Sequence, residues 1–142
     1  MATKYKYSDI ITYLDAIASN ANNGVGQAPH QYWWHVNHDM TQPPLSYNDF
    51  TTGTVYNIGV VPIINTATPL QSTFYLLLST PGGTLGYNQM PDGGFTDPNN
   101  PNGAPVYLTD ASCQITLADN SSIAGTQILA AMQDWLSNGY PQ

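Results

Sequence analysis

The chain contains no glutamate and no arginine, and its only basic residues besides histidine are Lys4 and Lys6. Charged residues make up 8% of it, against about a quarter in ordinary soluble domains. Binding a phosphate backbone needs a basic stripe, and two lysines at one end with a net charge of −7 do not make one. Nucleic acid is therefore not an expected partner, and an anionic membrane surface is disfavoured for the same reason. No run approaches the eighteen or so consecutive apolar residues that span a bilayer, so no membrane insertion is expected. The residues up to Asp9 lack the apolar stretch of a secretory signal. Cys113 is alone, which excludes an internal disulfide and leaves the compartment open. Solubility must rest on Asn, Thr, Ser, Gln and Tyr, a composition compatible with an extracellular or periplasmic protein.

What is present is a hydrophobic fraction of 42%, ordinary for a folded chain, over a length of 142 residues. With no internal repeat and no linker, residues 1–142 read as a single domain. Ile10, Leu14, Ile17 and Ala21 recur at helical spacing over 8–21, with Ser8 as the cap and Gly24 beyond the end. Ser46 and Asp49 stand at capping-box spacing, with Leu45 and Phe50 as a hydrophobic staple, and predict a short helix ending at Gly53. Residues 54–64 are β-prone but interrupted by Gly59 and Pro62, so an edge strand or extended segment is expected. Thr68-Pro69 predicts a helix start, and Leu70, Phe74, Leu77 and Leu78 fall on one face of that helix. Residues 80–105, rich in proline and glycine, read as a long loop. Val106–Thr109 and Cys113–Leu117 are expected to pair as a small hairpin. The last helix is predicted from a cap at Ser121 or Ser122 through Ile128, Ala131, Met132 and Trp135, with Gly139 at C′ and Pro141 blocking extension. The expected fold is mainly α, with long irregular loops and a possible small β-hairpin.

One stretch concentrates the candidate chemistry: His30-Gln-Tyr-Trp-Trp-His-Val-Asn-His-Asp-Met40. It holds all three histidines and two of the three tryptophans. Imidazole is a common ligand of copper and zinc, so His30, His35 and His38 are a candidate metal set, with Asp39 or Met40 nearby. The spacing matches no established metal motif. The competing reading is that Tyr32, Trp33 and Trp34 anchor the segment in the core while the histidines bond to backbone. Elsewhere there is no nucleophile elbow, no phosphate loop and no nominated carboxylate pair, so the chain reads as more a binder than an enzyme. Ten tyrosines and a nearly uncharged surface suit packing against a protein partner or a second copy.

Four pieces in order carry a family resemblance: Ser72-Thr-Phe-Tyr-Leu-Leu-Leu, Pro81-Gly-Gly, Gln89-Met-Pro-Asp-Gly-Gly94, and Ile128 to Trp135-Leu-Ser-Asn-Gly-Tyr-Pro141. Together they resemble small bacterial cytochrome c-like domains. That resemblance implies N- and C-terminal helices packed across each other. It also places His30 where the haem-ligating histidine stands and Met90 where the second axial ligand stands. The residues before His30 read Gly26-Gln-Ala-Pro, so both haem-attaching cysteines of the family motif are missing. The resulting expectation is a binding or assembly module with a cytochrome c-like fold and no cofactor. The alternative is a copper, zinc or non-covalent haem protein of electron transfer using His30, His35, His38 and Met90.

Overall fold

The structure is a computed structural model that describes residues 4–25, 31–55 and 61–142. Among these, four α-helices and one two-stranded sheet form a helix-rich, mixed architecture: α1 Tyr7–Asn20, α2 Tyr47–Thr52, α3 Thr73–Ser79, β1 Gln114–Thr116, β2 Ser122–Ala124 and α4 Gly125–Ser137. No helix among the described residues is long and apolar enough to cross a membrane.

The two longest helices carry the stripes that periodicity predicts. α1 buries Ile10, Leu14 and Ile17, and α4 buries Ile128, Met132, Trp135 and Leu136, which puts both apolar faces into one core. The start of α1 differs from expectation. Lys6 takes the cap position, where its backbone N–H donates to Asp9 Oδ2 at 2.9 Å, and Ser8 lies inside the helix. α4 ends as predicted. Gly139 has φ +87, its N–H donates to the Leu136 carbonyl at 3.3 Å, and Tyr140 N–H donates to that of Trp135 at 2.8 Å. This is a Schellman closure, which needs a left-handed residue and so favours glycine. The Trp135 indole then donates to the Pro141 carbonyl at 2.8 Å, tying the chain end to the core.

α2 begins where the capping signal lies, with Ser46 Oγ accepting from Asp49 N at 3.1 Å, and it delivers a fully buried Phe50. Phe50 meets Trp33, Phe74 and Trp135 with ring centroids at 5.9, 5.8 and 6.2 Å, so the core is organised around aromatic edges. Beyond Gly53 the chain folds back on itself, with Val55 N bonding to the Val61 carbonyl and Ile63 N to that of Gly53. The tip of this extended segment, 56–60, lies outside the described residues.

Two expectations need correction here. Thr68-Pro69 starts only a 3-10 turn, Pro69–Gln71, and the chain turns extended at Ser72 before α3 begins. Ser72 is buried; its hydroxyl donates to the Pro69 carbonyl and accepts from Asn65 N, which holds this break in place. Leu70 therefore ends up exposed, off the face that buries Phe74, Leu77 and Leu78. The hairpin also has different partners. Gln114–Thr116 pairs antiparallel with Ser122–Ala124, while Val106 exchanges two backbone bonds with Phe95. Asp110 is the reason: its carboxylate accepts from Tyr107 N at 2.8 Å and coils 107–110 into a turn. The reversal sits at 117–121 instead, where Asn120 adopts φ +69, a conformation that asparagine tolerates better than most residues. Ser122 is thus a strand residue, not the α4 cap.

The loop 80–105 is pinned to the end of α1. Asn22 N donates to Gly94 O, its Nδ2 donates to Gly93 O, and its Oδ1 accepts from the Thr96 hydroxyl.

Candidate functional site

Trp33 and Trp34 are 7% and 2% exposed, so the aromatic segment is driven into the core. Their indoles lie edge to face at 5.2 Å. The burial of Trp34 removes its N–H from water, and an orphaned donor there costs about 1–3 kcal/mol. α1 supplies the acceptor: Trp34 Nε1 donates to Asp15 Oδ1 at 2.6 Å.

The neighbouring imidazole uses the same oxygen. His35 Nε2 lies 2.7 Å from Asp15 Oδ1, and Nδ1 lies 2.6 Å from the Gln42 carbonyl. A carbonyl only accepts, so Nδ1 carries a hydrogen. His35 is 4% exposed, and both of its nitrogens are engaged by the protein. In this arrangement neither offers a lone pair to a metal or a substrate. Its work is to cross-link: α1 through Asp15, its own segment, and the strap that runs through Gln42 to the Val36–Pro43 backbone bond.

His38 and Asp39 follow His35 in the chain and lie nearer the surface. His38 is half-buried in a 3-10 turn, with φ +54, and burial lowers its pKa from the ordinary value. Asp39 is exposed, and its carboxylate accepts from Thr41 N at 2.9 Å, which holds its pKa below the usual range. His30 lies outside the described residues, as does the His30–Met90 separation. Among the described residues, no three His, Cys, Asp or Glu side chains come together as a metal-sized cluster. Met90 is buried, with Leu14, Trp33, Phe74 and Leu77, around an apolar cavity of about 40 Å³. Ligand pockets usually measure roughly 300–1,000 Å³.

Cys113 and Tyr7 face inward. Cys113 is fully buried, and burial, aided by the Asp110 charge, pushes its thiol up to about 11. Burial, then the Asp15 and Asp49 carboxylates, raise the pKa of Tyr7 well above the ordinary phenol value. Its hydroxyl donates to the Leu45 carbonyl.

A wider concavity opens on the other side of Asp15. A groove of about 550 Å³ runs between α1 and the β1–β2 hairpin, lined by Thr12, Asp15, Ser19, Asn20, Met40 and Leu117 among others. Thr12, Asp15, Ser19 and Asn20 reach it because positions i, i+3, i+7 and i+8 share a helix face. The Asp15 side chain is 36% exposed there. Neither Asp15 nor this face stood out in the sequence, because one aspartate among nine carries no signal until Trp34 and His35 converge on it.

Comparison with protein-family models, with curated proteins and with solved structures returns no significant match to this chain.

Proposed function

We propose that this chain is a non-catalytic binding module, cytochrome c-like in plan and without covalent haem, that takes its ligand along the groove between α1 and the hairpin. The observation that carries this reading is the Asp15 carboxylate. One of its oxygens is gripped by two N–H groups from the core, and the side chain remains a third exposed at the groove. A charged group held rigidly at the edge of a concave surface is organised for recognition, because its orientation is set before a ligand arrives. The groups that would serve catalysis are committed elsewhere: His35 by its two bonds, and Cys113 by burial in its protonated form. The plan itself is supported by the packing of α1 on α4, where the Tyr7 and Trp135 rings lie 6.5 Å apart.

Recognition of a ligand is favoured over self-assembly by where the aromatic residues go. Among the described residues the three tryptophans are buried, and eight of the tyrosines pack half-buried against the core. Among the described residues the large apolar side chains left exposed are Val36, Leu70 and Leu85, scattered along the chain. The copper, zinc or haem alternative is decided separately, by absorption and elemental content of protein from its native source. A Soret band or stoichiometric metal would overturn the cofactor-free reading. The groove itself is tested by amide NMR spectra recorded against a panel of amines, polyols and carboxylates. The expected result is shifts confined to residues 12–20 and 116–120. Shifts confined to other surfaces, or none, would remove the groove as the site.

A further inference from the structure

We infer that the groove selects ligands bearing a primary ammonium group, such as a polyamine or a lysine side chain, with the ammonium seated against Asp15; this rests on the reading of the groove as the binding site. The selectivity comes from where the hydrogens of the α1 side chains go. The Thr12 hydroxyl donates to the Ser8 carbonyl at 2.9 Å, and the Ser19 hydroxyl donates to that of Ala16 at 3.1 Å. Each hydroxyl has one hydrogen, so what both turn outward is lone pairs. Asn20 directs its two amide hydrogens to the carbonyls of Ala16 and Thr116 at 2.7 and 2.8 Å. Asp15 is acceptor-only when ionised, and its bonds to Trp34 and His35 both fall on Oδ1, leaving Oδ2 for a ligand.

The face that α1 presents is therefore a row of acceptors with no hydrogen to give. Its complement is a donor-rich group, and an ammonium offers three N–H bonds and a charge opposite to that of Asp15. On this wall carboxylates and phosphates meet only lone pairs; the side-chain hydrogens the groove can offer them are those of Thr116 and Asn120 on the hairpin side. A neutral polyol would need some donors from the protein that these four side chains do not supply. Neither lysine of the chain lines the groove; the group already paired with Asp15 is His35, which holds Oδ1 from the core, so the ligand ammonium is left Oδ2. Met40 and Leu117 provide apolar contact for the methylenes behind the ammonium.

Spermidine and Nα-acetyl-lysine amide are the probes, titrated into the full chain and followed by calorimetry and amide NMR. Sorbitol and acetate serve as comparators. Both amines are expected to shift residues 12–20 and 116–120, with affinity falling as salt rises. Asp15→Asn should weaken them roughly tenfold or more, the scale of one charge-assisted bond. Thr12→Val leaves the Asp15 anchors in place and covers the case in which Asp15→Asn disturbs folding; it is expected to weaken binding about twofold to threefold. Asp92→Asn makes the same charge change outside the groove lining and is expected to leave binding unchanged. Equal losses in Asp92→Asn and Asp15→Asn would mean diffuse attraction to an acidic protein and would overturn the inference. Sorbitol or acetate acting at the groove as strongly as the amines would overturn the ammonium assignment and leave the groove standing. No ligand acting at the groove would remove both.

Discussion

The carboxamide of Asn20 pairs with both backbone groups of Thr116: Nδ2 donates to the Thr116 carbonyl at 2.8 Å, and Thr116 N donates to Oδ1 at 3.0 Å. A side chain at the last position of α1 thus stands where a neighbouring strand would stand. It closes an open edge of β1 and fixes the hairpin against the helix, which in turn sets the width of the groove.

Asn20→Ala should cost about 1–3 kcal/mol, because both backbone groups of Thr116 lose their partner together. Asn20→Asp keeps an acceptor for Thr116 N and loses both donors, so an intermediate cost is expected. Urea denaturation measures the loss, and faster hydrogen exchange at the Thr116 amide in Asn20→Ala would localise it. Unchanged exchange there would remove the edge-pairing role.

The shared acceptor at Asp15 predicts coupling. Trp34→Phe keeps a ring in the core and removes one N–H donor, at a cost of about 1–2 kcal/mol. His35→Ala removes both its bonds and leaves a cavity, at a cost of about 2–4 kcal/mol. The two changes act on one oxygen, so the double variant should depart from additivity by about 0.5–3 kcal/mol. Strict additivity would argue that the two bonds are independent.

Met90 packs on the indoles beside a small apolar cavity, so its volume matters more than its sulfur. Met90→Leu should cost less than about 1.5 kcal/mol, and Met90→Ala about 2–5 kcal/mol. Thermal melts rank them. A change of visible spectrum in Met90→Leu protein from the native source would point instead to an axial-ligand role.

Burial lowers the pKa of His38 from the ordinary 6.5, so the unfolded chain takes up that proton first as the pH falls. The stability linked to His38 is present above 6.5 and is lost as the pH drops through the lowered folded value. Urea midpoints near pH 7.5 and 5 should fall further for the parent protein than for His38→Gln. Parallel losses would show that other groups carry the acid sensitivity.

The thiol of Cys113 has the opposite sign of dependence. Its pKa moves from 9.0 to about 11, so its contribution is intact below pH 9 and is lost as the pH rises through the folded value. Iodoacetamide at pH 8 should leave the native protein unmodified and label it in urea. Rapid native labelling would contradict the buried, protonated state.

Where periodicity or a cap signal marks the deciding interactions, the sequence alone was enough. The stripes of α1 and α4, the Ser46 cap, the Gly139 closure and the inward pull of Trp33 and Trp34 each follow from residues a few positions apart. The scarcity of basic residues already argued against nucleic acid. Tertiary structure decided everything that depends on a partner distant in the chain. It also showed local polar bonds that periodicity does not mark: Asp110 and Asn120 turn the chain so that β1 pairs with β2, and Ser72 splits a predicted helix through its bonds to Pro69 and Asn65. Three histidines within nine residues look like one ligand set. Among the described ones, His35 is claimed by an aspartate twenty residues away, and His38 closes the 3-10 turn that His35 caps. The candidate site lies beside that aspartate because a buried indole and a buried imidazole both had to find an acceptor, and only the packing of their segment on α1 supplied it.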